Sequence, residues 1–333
     1  MKNIVVIGGG TGAFVVLSGI RDIADINITA IVSSADSGGS TGVLRNTFGQ
    51  LPVGDIRQCL VALAPVIGDD IKVNTTRDLF KYRFERGTGL KGHSFGNLFL
   101  TALTEILGSE LKAIETAAKI LNIKGKVLPI TTDDVTLLAE YNNGSIGFGE
   151  EMIDSVVYSE KNKDLKIKTL SVQPSSNILD ETKEAILNAD YIILGPGDLY
   201  TSTIANLVIG GVVDTIAKSK AKIIYFTNLF TKHGQTTGYT AKDHVNDLER
   251  YLDKKVDRII LNTSLISDDI IDYYFKEDHV ILVKDDLLSD SRVLRKDLLS
   301  LVRLNQSSSD KVKRSILRHD SAKVGKVIEE LIK

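Results

Sequence analysis

The sequence predicts an α/β protein with a mainly parallel sheet flanked by helices and a small inserted antiparallel β lobe. Three observations predict it. Residues 4–7 are a continuous β-branched run cut by Gly8, apolar residues at helical spacing follow over 14–20, and a second apolar run spans 26–32. Strand, helix and strand thus fit within about thirty residues, as a parallel crossover needs. The same alternation returns after Tyr191, and between the two stretches the period shifts to that of short strands.

Taken in order, helical patterns follow the first unit at 56–64, 76–84, 97–107 and 111–121. Short strands are predicted at 127–130, 135–141, 145–148 and 165–172, with Asn142-Asn143-Gly144 as a hairpin signal. They are read as one antiparallel lobe over about 125–175, inserted in a single domain spanning 1–333. Strand 192–194, helix 203–217, strand 223–226, helix 242–251 and strand 258–261 resume the parallel pattern. Ser307-Ser308-Ser309-Asp310 reads as a polar, mobile loop before a last helix at 321–332.

Composition narrows the function classes. Lys plus Arg is 41 against 43 for Asp plus Glu, so no net field draws the chain to nucleic acid or an anionic membrane. No apolar segment approaches the ~20 residues of a membrane span. The first seven residues read as a strand, with neither a basic leader nor a small-residue cleavage site. Cys59 is the single cysteine and has no internal disulfide partner. A cytoplasmic location is expected, with no membrane insertion.

Five loops carry candidate chemistry. Gly8-Gly9-Gly10-Thr11-Gly12-Ala13, between a strand and a helix, satisfies the permissive dinucleotide pattern G-x-G-x-x-A. Glycines here leave backbone amides open to an anion at a helix start. After the second strand come Asp36, Gly38, Gly39, Ser40 and then Arg45, a second polar contact region in which Asp36 alternatively serves an Asx turn or a helix cap. Asp55 stands at a helix start, either as its cap or, with Arg45 and Arg57, in an anion clamp.

Gly92-His93-Ser94-Phe95-Gly96 matches the G-x-S-x-G elbow of hydrolases, but no strand precedes it, so Ser94 reads as a helix cap. His93 and Asn97 remain candidates for a phosphate or a base, with a structural histidine as the alternative. The fourth loop, with Gly195, Gly197, Asp198, Tyr200, Thr201 and Ser202, again runs from a strand end through glycines into a helix. The fifth, from Asn228 to Tyr239, is expected to complete the pocket rim. No zinc spacing and no P-loop motif occurs.

With these segments in hand, the chain resembles the YvcK-like (gluconeogenesis factor) family within the CofD-like superfamily. The resemblance rests on I-G-G-G-T-G at 7–12, A-D-S-G-G-S-T-G-V-L-R at 35–45, F-G-Q-L-P-V-G-D-I-R-Q-C-L-V-A-L at 48–63, G-H-S-F-G-N-L at 92–98 and V-L-P at 127–129. L-G-P-G-D-L-Y-T-S at 194–202, G-Y-T-A-K-D-H-V at 238–245 and R-H-D at 318–320 continue it. It implies a Rossmann-like core that binds a nucleotide or nucleotide-sugar such as UDP-N-acetylglucosamine, and a role linking carbon metabolism to cell-wall synthesis and cell shape. It further implies that 8–12 and 195–202 cradle phosphates, that Asp36 lies near the transferred or metal-bound group in transferase relatives, and that Arg318 reaches the nucleotide.

The long segment at 48–57 favours the gluconeogenesis-factor side over the transferase side. The family's further acids are replaced by Ser37, Gln235 and Thr237, which weakens a role for Mg²⁺. The expected partners are a small-molecule nucleotide ligand and further copies of the chain as a homo-oligomer. Two other readings stand beside the regulatory one. A CofD-like transferase would move a phosphoryl-linked group from a nucleotide-activated donor, with Mg²⁺ and with Asp36 as its catalytic residue; an NAD-dependent dehydrogenase rests on the first glycine run alone.

Overall fold

The computed structural model describes residues 1–66, 68, 71–300 and 317–333. Ten strands occur among them: β1 Lys2–Ile7, β2 Ile26–Val32, β3 Lys126–Pro129, β4 Thr136–Tyr141, β5 Ile146–Phe148, β6 Ile167–Gln173, β7 Tyr191–Leu194, β8 Lys222–Phe226, β9 Arg258–Asn262 and β10 Val293–Lys296. Seven form one sheet in the order β10-β9-β8-β7-β1-β2-β3, with every pairing parallel. The other three form an antiparallel sheet, β5-β4-β6.

The α/β fold with its antiparallel lobe is as the sequence predicts, with one correction. Of residues 127–130, expected in the lobe, 127–129 belong to β3, which pairs in parallel with β2 (Ala30 opposite Val127) and forms the edge of the main sheet. A four-residue strand carries too little period to show which sheet it joins. The 307–310 stretch lies outside the described residues.

The sheet is buried on both faces, which explains why its strands read as continuous apolar runs rather than alternations. Along β1, Ile4 and Val6 pack into one core while Val5 and Ile7 pack into the other. On the first face lie helices Gly10–Ile20, Val53–Leu63 and Ser321–Ile332, through Leu17, Leu60 and Val324. On the second lie Asp180–Leu187, Val212–Lys218 and Ala241–Leu252, together with Leu137, Ala139 and Leu170 of the lobe. The last helix docks on the first through two glycines: a Cβ on Gly325 would stand 2.1 Å from the Gly19 carbonyl oxygen.

Helices at Phe95–Leu107, Glu110–Ile120 and Ser321–Ile332 lie close to their predicted bounds. Four α-helices among the described residues have no counterpart in the sequence prediction: Gly39–Phe48, Glu150–Asp154, Asp180–Leu187 and Asp268–Asp278. The first opens with Gly-Ser-Thr-Gly, residues of poor helix propensity, so only its packing fixes it. The helix expected over 203–217 is broken into Leu199–Ile204, Ala205–Leu207 and Val212–Lys218. Gly211, at φ +80°, sets the break, and the Gly210 amide donates to the Ser176 carbonyl instead of continuing the helix. No described helix is long and apolar enough to cross a membrane.

Candidate functional site

The strand order reverses between β1 and β7: the chain steps outward from β1 to β2 and β3, then returns on the other side with β7 to β10. Such a reversal opens a crevice at the carboxyl ends of the two central strands. The first and fourth glycine loops leave those ends. They touch backbone to backbone, since a Cβ on Gly12 would lie 1.5 Å from the Pro196 carbonyl oxygen. Above them is a cavity of about 610 Å³, within the ~300–1,000 Å³ range of small-molecule sites.

Gly9, Gly10, Thr11, Gly12, Asp36, Gly38, Gly39, Ser40, Asp55, Arg57, Asn97, Gly197, Asp198, Thr201, Ser202, Asn228 and Arg318 all line this cavity, from loops spread over the chain. Four predicted residues do not. Arg45 is buried and turned away, its Nε donating to Asp134 Oδ1 at 2.9 Å and its Nη2 to the Val135 carbonyl at 2.6 Å, so it takes no part in an anion clamp. Tyr200 is fully buried and donates its one hydroxyl hydrogen to the Asp247 carboxylate, with the Ile167 carbonyl oxygen of the lobe 3.2 Å from the same hydroxyl. Gly195, at φ +68°, faces the Phe226 carbonyl, which a Cβ would approach to 2.7 Å. His93 sits one shell back, its Nδ1 3.0 Å from Ser40 Oγ.

Asp55 is not the cap of its own helix, which Pro52 fills. Its carboxylate instead stands at the start of helix Gly10–Ile20, where a Cβ on Gly9 would meet Oδ2 at 2.0 Å. A carboxylate is favoured at that positive helix end. Ser94 is the predicted cap, accepting from the Asn97 amide at 3.4 Å. Asn97 then joins two loops: its Nδ2 donates to Ser40 Oγ at 3.3 Å and its Oδ1 accepts from Arg57 Nε at 2.8 Å. Arg57 also donates to the Phe80 carbonyl at 3.2 Å, which fixes its guanidinium beneath the cavity wall. Asn228 ties the fifth loop to the fourth by donating to the Gly197 carbonyl at 2.6 Å.

Sequence reasoning missed an ionic group contributed by the lobe. Glu150 and Asp154, on the short helix Glu150–Asp154, line the cavity with Asp36 and Asp198, and the Glu150 and Asp36 carboxyls share a hydrogen bond. Lys232 Nζ lies 2.6 Å from Asp154 Oδ2 and 2.5 Å from Asp198 Oδ2. Burial raises the Asp36 carboxyl above the ordinary range, while the Gly38 amide, 3.0 Å from Oδ1, and the Thr41 hydroxyl oppose the shift. The Gly38 bond is the Asx turn that the sequence left open. Burial and then the charges of Asp36, Asp154 and Asp55 push Glu150 well above the ordinary value. Burial also raises Asp154, against the pull of Lys232. Lys232 itself is raised: burial disfavours its charge, but Asp154 and Asp198 outweigh that cost.

Signals for this group existed: acids at i, i+1 and i+4 after Gly149, and one lysine in the fifth loop. The three replaced acids have structural tasks. Ser37 Oγ accepts from the Glu151 amide at 3.1 Å, Gln235 Nε2 donates to Asp154 Oδ1 at 2.6 Å, and Thr237 Oγ1 accepts from the Gly234 amide at 3.0 Å. Among the described residues no group of three or more His, Cys, Asp or Glu side chains is arranged to hold a metal ion. Asp154 is committed to Lys232, Gln235 and Thr201.

Comparison with known proteins agrees with this architecture. A family model described as "2-phospho-L-lactate transferase CofD" matches residues 4–303. A "Putative gluconeogenesis factor" of Thermotoga maritima is 41% identical over 332 residues, covering 99% of each chain. The "Gluconeogenesis factor" of Bacillus subtilis is 37% identical over 336 residues, covering 99% of this chain and 98% of the relative. A crystal structure of a Bacillus halodurans protein, described as a member of the UPF0052 family, superposes with a TM-score of 0.84 at 36% identity, covering 98% of this chain and 99% of the other.

Proposed function

This chain belongs to the CofD family, among its YvcK-like gluconeogenesis factors, and on that premise we propose that it is a regulatory protein that binds a nucleotide-sugar. The ligand class is a UDP-sugar such as UDP-N-acetylglucosamine, and the protein acts in the cytoplasm, linking carbon metabolism to cell-wall synthesis and cell shape. The observation that carries the reading is the meeting of the Gly9–Gly12 and Gly197–Ser202 turns at the β1/β7 crevice, beneath a cavity of about 610 Å³. Backbone amides at such a turn favour phosphate oxygens. Ser94, the serine of the G-x-S-x-G match, is spent on a helix cap. Calorimetric titration with several nucleotide-sugars is the test. Saturable binding with one ligand per chain is the expected result; no heat with any of them overturns the reading. Native mass spectrometry of protein purified without added ligand would identify a retained nucleotide by its mass.

A second reading, a CofD-like transferase, is favoured by one observation: Asp36, a half-buried carboxyl held above its ordinary pKa, lines the cavity beside the glycine turns. A protonated or proton-accepting carboxyl there suits a group-transfer site. Release of nucleotide from an activated donor in the presence of acceptor alcohols, abolished by Asp36→Asn, is the result that would establish it.

A further inference from the structure

The lobe reaches the cavity through one short segment. After Gly149, at φ +88°, the chain forms helix Glu150–Asp154 and continues to Tyr158, and Glu150, Glu151, Asp154, Ser155 and Val156 all line the cavity. Ile153, its buried side chain, packs on the lobe, since a Cβ on Gly147 would stand 3.2 Å from Ile153 Cγ1. Toward the main body the main-chain bonds stop. Among the described residues, the main-chain to main-chain hydrogen bonds of 150–158 stay within 149–158, such as Ile153 amide to Gly149 carbonyl at 3.1 Å and Ser155 amide to Glu151 carbonyl at 3.0 Å.

Side chains make the attachment instead. The Ser37 amide donates to Glu150 Oε2 at 3.3 Å, and the Glu151 amide donates to Ser37 Oγ. Val156 packs on Gly234, where a Cβ would meet Val156 Cβ at 2.9 Å. The Tyr158 ring stacks on His279 with centroids 3.6 Å apart and planes inclined by 15°. The central attachment is ionic: Lys232 Nζ bridges Asp154 of the segment and Asp198 of the fourth loop. A segment held this way has low local stability, so a change in one contact moves its population.

Asp198 directly follows Gly197 of the glycine turn, so an anion on that turn comes close to Lys232. It offers the ammonium a third acceptor and adds a like charge beside Asp154, Glu150 and Asp36. Both effects act against the docked position of Asp154. We propose that Glu150–Tyr158 is a strap latched by the Lys232–Asp154 pair, and that a bound phosphate-bearing ligand unlatches it. Met152 and Val157 of the strap are exposed, so occupancy of the cavity is displayed at the surface as a loosened segment. This rests on the phosphate-binding reading above and adds to it the regulation of that site.

The test follows hydrogen exchange of the full-length protein alone and with inorganic pyrophosphate, uridine diphosphate or uridine, while calorimetry records which of them binds. The reporters are the amides of Glu151, Ile153 and Ser155, each of which donates a hydrogen bond. Either bound anion is expected to speed their exchange by about fivefold or more, the lower end of ordinary coupling between sites. Uridine should leave it unchanged. Reporter amides that stay still or slow down with a bound anion, or that respond equally to uridine, would overturn the strap while leaving the phosphate site intact. Absence of binding by both anions would overturn the phosphate reading and the strap with it. Coupling is reciprocal, so Tyr158→Ala, which removes an uncharged anchor that is not among the cavity-lining residues, is expected to tighten pyrophosphate binding about threefold. Unchanged or weaker binding would overturn the linkage. The exchange readout needs no substitution, so a misfolded variant does not remove the test.

Discussion

Gly12 and Pro196 meet with no room for a side chain between them: a Cβ on Gly12 would fall 1.5 Å from the Pro196 carbonyl oxygen and 2.5 Å from its carbon. Two loops nearly two hundred residues apart in sequence are thereby held in backbone contact at the point where the sheet changes direction. The carbonyl that would be struck is main chain, so relief requires one loop to move away from the other.

Gly12→Ala is therefore expected to cost about 3 kcal/mol of stability, at the upper end of overpacking penalties, and to abolish ligand binding. Gly8→Ala is the control, because its Cβ would meet only Ala13 Cβ at 4.0 Å; it is expected to cost less than about 1 kcal/mol. Urea denaturation of both variants checks the contrast, and equal stabilities would refute the close approach.

Gly19 and Gly325 make a second such contact, between the first and last helices. Gly325→Ala is expected to loosen that crossing and to cost about 2 kcal/mol. Hydrogen exchange should accelerate in Ser321–Ile332 before the central strands are affected. Unchanged protection of that helix would count against the packing described.

Lys232 neutralises two carboxylates that face the cavity. Lys232→Met leaves Asp154 and Asp198 without a counter-charge, and is expected to cost about 1–3 kcal/mol at pH 7, less than for a fully buried pair because both acids are partly exposed. The loss should shrink as the pH is lowered and the carboxyls protonate. A loss independent of pH would show that the lysine acts through packing alone.

Glu150 has its folded-state pKa raised by burial and by neighbouring acids. The folded protein therefore binds a proton that the unfolded chain has released, and stability falls as pH rises above the ordinary carboxylate value, about 4.3, toward the raised one. Glu150→Gln is expected to raise the melting temperature at pH 8 and to make no difference near pH 4. Melting temperatures of both proteins across that window decide it.

His319 runs the opposite way. Its folded pKa is lowered to about 4 by burial, so the unfolded chain takes up the proton first and stability falls as pH drops from about 6.5 toward 4, by on the order of 3 kcal/mol at most. His319→Phe should flatten that limb of the stability curve. A slope unchanged by the substitution would show that the ring is hydrated and protonates freely.

Much of this was legible along the chain. β2 and the last helix lie where the apolar period put them, and the hairpin signal at Asn142-Asn143-Gly144 does join β4 to β5. The glycine turns were legible too, because a strand followed at once by glycines and a helical period leaves few other conformations. Arg45 and Tyr200 were misjudged for a common reason. Each belongs to a motif whose neighbours line the cavity, yet the local backbone turns these two side chains inward, to Asp134 and to Asp247. Sequence adjacency does not convey the direction of a side chain in a loop.

By itself the sequence determined which segments are strands and helices, where the backbone is bare enough for an anion, and that the ends of parallel strands would carry the site. Those properties are set by residues within a few positions of one another. The tertiary structure alone decided that β3 joins the main sheet, that Glu150, Asp154 and Lys232 complete the cavity, and that His233 and His319 line it, with both ring nitrogens of His233 and Nε2 of His319 lacking a hydrogen-bond partner among the described residues. Such meetings depend on strand order and on packing across long stretches of chain, and burial and electric fields sum over everything nearby in space, whatever its distance in sequence.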